Sequence, residues 1–193
     1  MNFAVLQYAS GDERVFKGYN ALNDFCEFLF SRGHIGYTAI AHNAKGFDAV
    51  IIQKWLIQYR PTSDMHVIHS GQKVMQLILK DYQMTLIDSL NFLCMPLSDL
   101  PKTFGLDLSM YSKGDFPFKF NTRENQKYVG PIPALEYYSP DTKSKLKRDE
   151  LIAWHQNLID EGYVFDFQKE MYKYCSQDVT ILRLCCMEFR KLF

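Results

Sequence analysis

The sequence predicts an α/β fold, and three observations predict it. A short apolar run, Tyr37 to Ala41, is broken at Asn43 and Gly46. An apolar-periodic segment then runs from Ala49-Val50-Ile51-Ile52 to Trp55-Leu56-Ile57, which reads as strand, tight turn and helix. Three strand patterns separated by polar turns fill Met65 to Ile87. A final segment from Asp166 carries Met171, Tyr174, Cys175, Val179, Leu182 and Phe189 at the spacing of one helix face.

In chain order, Phe3 to Tyr8 reads as a strand. Ser10-Gly11-Asp12-Glu13 reads as a hairpin turn, and Arg14 to Gly18 as the return strand. Asn20 or Asn23 can cap a helix whose apolar face includes Leu22, Phe25, Cys26 and Leu29. The helix after Gly46 reaches about Tyr59, before Pro61. Within the meander, Ser70-Gly71-Gln72 and Lys80-Asp81 are the turns. Leu97 to Phe104 predicts a short helix with Gly105 just past its end. Residues 109–142 hold three prolines after Gly114 and a fourth at Pro140, so they read as irregular. Long irregular spans in compact domains are usually functional. A basic run, Lys143 to Arg148, leads into a helix over Leu146 to Leu158, and reads as a solvated helix face.

Length and composition bound the function. A chain of 193 residues fits one domain over 1–193, and 47% apolar with 15% aromatic residues excludes disorder. Lysine plus arginine equals aspartate plus glutamate at 22 each, which excludes a non-specific duplex binder and makes any nucleic-acid contact local. The five cysteines form no Cys-x-x-Cys pair. With no signal peptide legible, their odd number points to a reducing, intracellular compartment rather than secretion. No apolar run is long enough to cross a membrane, so no membrane partner is expected.

Two spacings carry chemistry. Asp48 falls in the first turn of a helix at the sheet edge where open α/β folds bind ligands, although a helix N-terminus favours an anion on its own account. Tyr174 and Asp178 lie four apart in the last helix and share a face. Together, Asn43-x-x-x-Phe47-Asp48 and Tyr174-x-x-x-Asp178 resemble the second and third exonuclease motifs of family B DNA polymerases. Between them, Asp88-Ser89-Leu90-x-x-Leu93 resembles the Ser/Thr-Leu motif of the protein-primed branch (phage, adenoviral and Maverick/Polinton-transposon polymerases), and Lys113-Gly114-Asp115-Phe116 its lysine motif. The tail from Tyr163 to Arg183 resembles the transposable-element type.

The resemblance implies a ribonuclease H-like 3′–5′ exonuclease domain with a mixed sheet, removing nucleotides from a primer 3′ end in DNA replication. Two divalent ions, Mg2+ (or Mn2+), about 3.5–4 Å apart would serve the displacement. Carried over by position, Asp48 and Asp178 are metal-binding, Tyr174 orients the water, and Lys113 meets the scissile phosphate. Asn43, Phe47, Ser89, Leu90 and Phe118 would hold the single-stranded DNA. Read singly, Asn43 also suits a turn, Phe47 and Leu90 a core, Ser89 local backbone satisfaction, Lys113 a solvated surface, and Tyr174 a core phenol.

One part of the pattern is missing. The family's first motif is Asp-x-Glu, and no aspartate in this chain is followed by glutamate two positions on. Metal binding is therefore expected to be weak or incomplete, the chain to lack the first, central strand, and a seam to open between Phe3–Tyr8 and Tyr37–Ala41. The polymerase palm, fingers and thumb are also absent from the sequence. The expectation is a piece of a DNA-directed DNA polymerase, whose partners include the missing polymerase portion and a terminal priming protein. The alternative is a non-catalytic module, derived from that domain, that binds single-stranded DNA or a protein.

Overall fold

The computed structural model describes residues 1–46, 48–61, 64–71, 73–107 and 115–192. They form two compact units, Met1–Tyr111 with Val179–Phe193, and Ser112–Asp178.

The first unit begins with an antiparallel ribbon, β1 (Phe3–Gln7) and β2 (Glu13–Lys17), in register from Phe3 opposite Lys17 to Gln7 opposite Glu13. Gly11 supplies the turn's left-handed residue at φ 100°. Phe16 on β2 packs edge-on with Phe25 and at a tilt with Phe28, which the 3.6-residue period of α1 (Ala21–Leu29) brings to its ribbon side. Asn20 occupies the N-cap without a side-chain bond, whereas Asn23 accepts a hydrogen bond from Trp55 Nε1 at 3.1 Å.

The main sheet is mixed and four-stranded, in the order β3-β6-β5-β4. β4 (Met65–Ser70), β5 (Lys73–Leu79) and β6 (Met84–Asp88) form the expected antiparallel meander. β3 (Thr38–Ala41) lies parallel to β6, from Thr38 opposite Thr85 to Ala41 opposite Asp88. A parallel neighbour needs a crossover, and the segment carrying α2 (Asp48–Tyr59) is part of it. Leu77, Leu79 and Met84 of the sheet bury against Ile52, Trp55 and Leu56 of α2, with Cys26 and Leu29 of α1 and Phe30 just after it in the same core.

The ribbon stays outside that sheet. Among the described residues no backbone hydrogen bond joins β1 to β3. Side chains fasten β1 instead. Gln7 Nε2 donates to Thr180 Oγ1 (2.8 Å) and to Glu13 Oε2 (2.9 Å), while its Oε1 accepts from Arg183 Nε (3.0 Å). Tyr8 bonds His34 Nε2 through its hydroxyl at 2.6 Å.

A second core of this unit joins Leu93, Leu97 and Leu100 to Ile181, Leu182 and Cys185. The helix expected over Leu97–Phe104 is a 3-10 turn, Leu97–Asp99, followed by a single α turn, α3 (Leu100–Thr103). Pro101 fits within its first turn, where no amide donor is needed, and Gly105 at φ 67° ends it.

The second unit holds an antiparallel ribbon, β7 (Val129–Pro131) with β8 (Val164–Asp166), the helix α4 (Lys145–Asp160) and the first half of α5 (Phe167–Arg190). Asp166 caps α5 as expected, its Oδ1 accepting from Gln168 N (3.1 Å) and Lys169 N (3.2 Å). Phe116, Phe120, Phe165 and Phe167 are buried here, with Phe120 edge-on to Tyr128 and Tyr137. Residues 115–142 are irregular, as the prolines and glycines suggest, a mixture of coil and short 3-10 turns interrupted by β7. No helix among the described residues is long and apolar enough to cross a membrane.

Leu77 is fully buried on a central strand. Leu77→Ala is expected to lower stability by about 2–5 kcal/mol in urea unfolding. An unchanged midpoint would show that this sheet does not carry the core.

Candidate functional site

The parallel strands β3 and β6 end side by side, Ala41 opposite Asp88, and that shared end positions the first group of residues. From β3 the chain passes through His42 and Asn43 into a 3-10 turn, Ala44–Gly46, and enters α2 at Asp48. Asn43 adopts φ 60°, a left-handed conformation that asparagine tolerates better than most residues. Gly46 leaves room for it, since a Cβ there would come within 3.3 Å of the Asn43 amide group.

Asp88 holds this turn. Its side chain is 1% exposed, its Oδ1 accepts from Asn43 N (3.0 Å) and Leu90 N (2.9 Å), and its Oδ2 accepts from Lys45 N (3.0 Å). Next to it, Ser89 is wholly buried and its hydroxyl meets His42 Nδ1 at 2.8 Å. Leu90 follows, half-buried, in the 3-10 turn Ser89–Asn91. Four expected residues, Asn43, Asp48, Ser89 and Leu90, are thus gathered at the carboxyl ends of two parallel strands. Open α/β sheets bind ligands at such ends. Burial pushes the Asp48 carboxyl above the usual carboxylate range. A backbone hydrogen bond offsets part of that shift, and the charge of Asp88 adds to it.

The second unit holds the other group. Tyr174 and Asp178 lie one turn apart on α5 and are hydrogen-bonded through the phenol. Burial raises the Tyr174 phenol far above its ordinary value, and the Asp178 carboxylate beside it raises it further. Phe116 packs on the Tyr174 ring at 5.6 Å and Phe118 meets it edge-on at 5.3 Å. Phe118 itself is 59% exposed, an open aromatic surface backed by two other rings. Lys143 Nζ pairs with Asp115 at 2.6 Å and Arg148 with Asp141 at 3.3 Å, so two members of the basic run have carboxylate partners rather than a purely solvated face. Phe47 and Lys113 lie outside the described residues.

Sequence reasoning missed Asp88 and His42 as parts of the site. Asp88 stood in a recognised motif, but only as the residue before Ser89. An aspartate leaving a strand often bonds the backbone two residues on, as it does to Leu90 N, and that local habit hid its longer reach to Asn43 and Lys45.

The donor set fits a metal ion in part. Asp48 is a carboxylate for which a cation would offset the penalty of ionising in a desolvated place. Asp88 is a poorer ligand, because it is 1% exposed and three amides already occupy three of its about four lone-pair sites. Among the described residues no three histidine, cysteine or acidic side chains are grouped to hold an ion. One carboxylate suits a magnesium that keeps most of its waters and leans on substrate phosphate.

Residues 31–193 match the family model described as DNA polymerase type B, organellar and viral. Relatives include a "Probable DNA polymerase" of Ascobolus immersus, 26% identical over 178 residues, covering 87% of this chain and 14% of that protein. Another, from Agaricus bitorquis, is 27% identical over 194 aligned positions, covering 92% of this chain and 22% of that protein. A third, from Podospora anserina, is 33% identical over 102 residues, covering 52% and 8%. The chain spans less than a quarter of the length of each of these relatives. No solved structure matches it.

The raised carboxyl of Asp48 has a signed consequence. A folded value above the unfolded one means that stability is fully present at low pH and is lost as pH rises through the raised value. Asp48→Asn is therefore expected to raise the melting temperature at neutral pH, with the gain vanishing below about pH 4, the ordinary carboxylate range. A gain that persists unchanged at pH 3 would assign it to packing instead of ionisation.

Proposed function

Because the chain belongs to the organellar and viral type B DNA polymerases, we propose that it is a piece of such an enzyme that corresponds to the 3′–5′ proofreading exonuclease domain, of ribonuclease H-like fold and protein-primed type. The observation that carries this reading is the gathering of Asn43, Asp48, Ser89 and Leu90, from segments over forty positions apart, at one strand end. The lack of ladder bonds between β1 and β3 among the described residues is compatible with a fold in which a further strand, the one that bears Asp-x-Glu in the family, would lie between them.

The ligand is a single-stranded DNA 3′ end. Asn43 offers neutral hydrogen bonds to it, Leu90 an apolar contact, and Ser89 acts through the His42 ring it holds. Phe118 offers a face or edge to a base, with Tyr174 behind it. Phe47 and Lys113 keep the roles that the resemblance implies, strand contact and phosphate contact. Asp48 and Asp178 would hold Mg2+ or Mn2+, which when bound supplies charge neutralisation and an activated water. Tyr174, kept protonated by its raised value and donating its O–H to Asp178, would orient that water by accepting a hydrogen bond from it on the phenol oxygen. Two ions would bring four positive charges against two from Asp48 and Asp178, so hydrolysis by this polypeptide alone is expected to be weak. That imbalance favours, as the second reading, a non-catalytic module that binds single strands or a protein. The polymerase portion and a terminal priming protein are the partners implied by the protein-primed type, and the tail motif favours the transposable-element kind.

The test is fluorescence anisotropy with a labelled oligo-dT, followed by incubation with Mg2+ or Mn2+. The chain is expected to bind the oligonucleotide weakly and to show no metal-dependent 3′-end loss above background. Absence of binding at low salt would sink the reading, and digestion abolished by Asp178→Ala would show a self-sufficient nuclease. Phe118→Ala should weaken binding by about 1–3 kcal/mol. Being exposed, the residue should change stability by no more than about 0.5 kcal/mol.

A further inference from the structure

We propose that Asp88 is the positioning residue of the candidate site: its buried carboxylate fixes the Asn43–Lys45 backbone and thereby sets how Asn43 is presented to a single strand. The inference rests on the reading of Asn43 as a strand contact. Three amides converge on Asp88, two of them from a turn more than forty positions away in sequence. A charged acceptor makes such bonds stronger than neutral ones. With the side chain 1% exposed, water does not replace them when they are lost.

The turn needs that hold. Asn43 sits in the left-handed region, less favourable than the ordinary backbone regions even for asparagine, and one of the three amides is its own. Its amide group folds back over Gly46, where no side chain stands in its way. The Ser89–His42 bond secures the residue before it. His42, Asn43 and Lys45 are therefore all tied to two consecutive residues at the end of β6.

Asp88 acts through the backbone and does not itself meet a ligand. It is 1% exposed and both its oxygens accept amides, so its role is to shape the turn. Asparagine in its place would retain the size but offer one acceptor oxygen, and its NH2 group would confront an amide donor.

The experiment compares the unsubstituted chain, Asp88→Asn and Leu77→Ala by residue-resolved amide hydrogen exchange and by oligo-dT anisotropy, at a temperature where each is folded. Asp88→Asn should speed exchange at Asn43 and Lys45 by about tenfold or more, one hydrogen bond's worth of protection. Oligo-dT affinity should fall by about threefold to tenfold, the effect of a loosened neutral hydrogen bond. Leu77→Ala, destabilised in the sheet with Asp88 and its three amide bonds left in place, should keep its affinity. Unchanged exchange at the two amides overturns the proposal, and so does faster exchange with unchanged affinity, which would mark Asp88 as structural only. If the unsubstituted chain binds no oligo-dT, the single-strand reading fails and the positioning role with it, while the exchange data still report whether Asp88 holds the turn. If Asp88→Asn does not fold, exchange in the unsubstituted chain decides, and Asn43 and Lys45 amides exchanging at the rate of an open turn overturn the proposal.

Discussion

A carboxylate taken out of water must recover its hydrogen bonds from the protein, and the first unit is arranged around one that does. Asp88 can collect amides from the β3–α2 turn only because β3 lies parallel to β6 and stops level with it. That register is not free to drift. A slip of one residue would turn every side chain of β6 to the opposite face, bringing Met84 and Leu86 out of the core and Asp88 away from its donors. The apolar pattern of a strand and the polar needs of one aspartate therefore select the same pairing. Asp48 lies close enough to feel the charge of Asp88, so the residue that shapes the turn also adjusts the chemistry of the residue that ends it.

Much of this arrangement was legible in the sequence where the signal is local. The ribbon, the meander, α1, α2 and the capped start of α5 each show a period of two or 3.6 residues with turn chemistry at their ends. The ribbon β7–β8 was not, because Gly130 and Pro131 argue against a strand and only pairing with Val164–Asp166 makes one. The helix over Leu97–Phe104 shortened to a 3-10 turn and one α turn. At the site, Asn43 and Asp48 were readable from the break in pattern between strand and helix. The burial of Ser89 and its bond to His42 were not, since nothing near Ser89 in sequence says which residue forty-seven positions back will lie over it.

Membership in the polymerase family sits beside a net charge of zero. The two fit together if contacts with nucleic acid are few and mostly uncharged. Asn43 and Phe118 are of that kind, a neutral amide and an exposed ring. On the proposed reading, affinity would come from stacking and neutral hydrogen bonds more than from released counterions, and would depend on salt less steeply than duplex binding does.

The fastening of β1 has a consequence for the order in which the chain assembles. Hairpins close within microseconds, and β1–β2 is a short one with a glycine turn. Gln7 nevertheless reaches its partners Thr180 and Arg183 across more than 170 positions. Closing so long a loop is entropically unfavourable until the intervening chain has condensed. The strand pair that can form earliest is thus among the last to acquire its full set of bonds, and during synthesis it must wait, half attached, for a helix that has not yet been made.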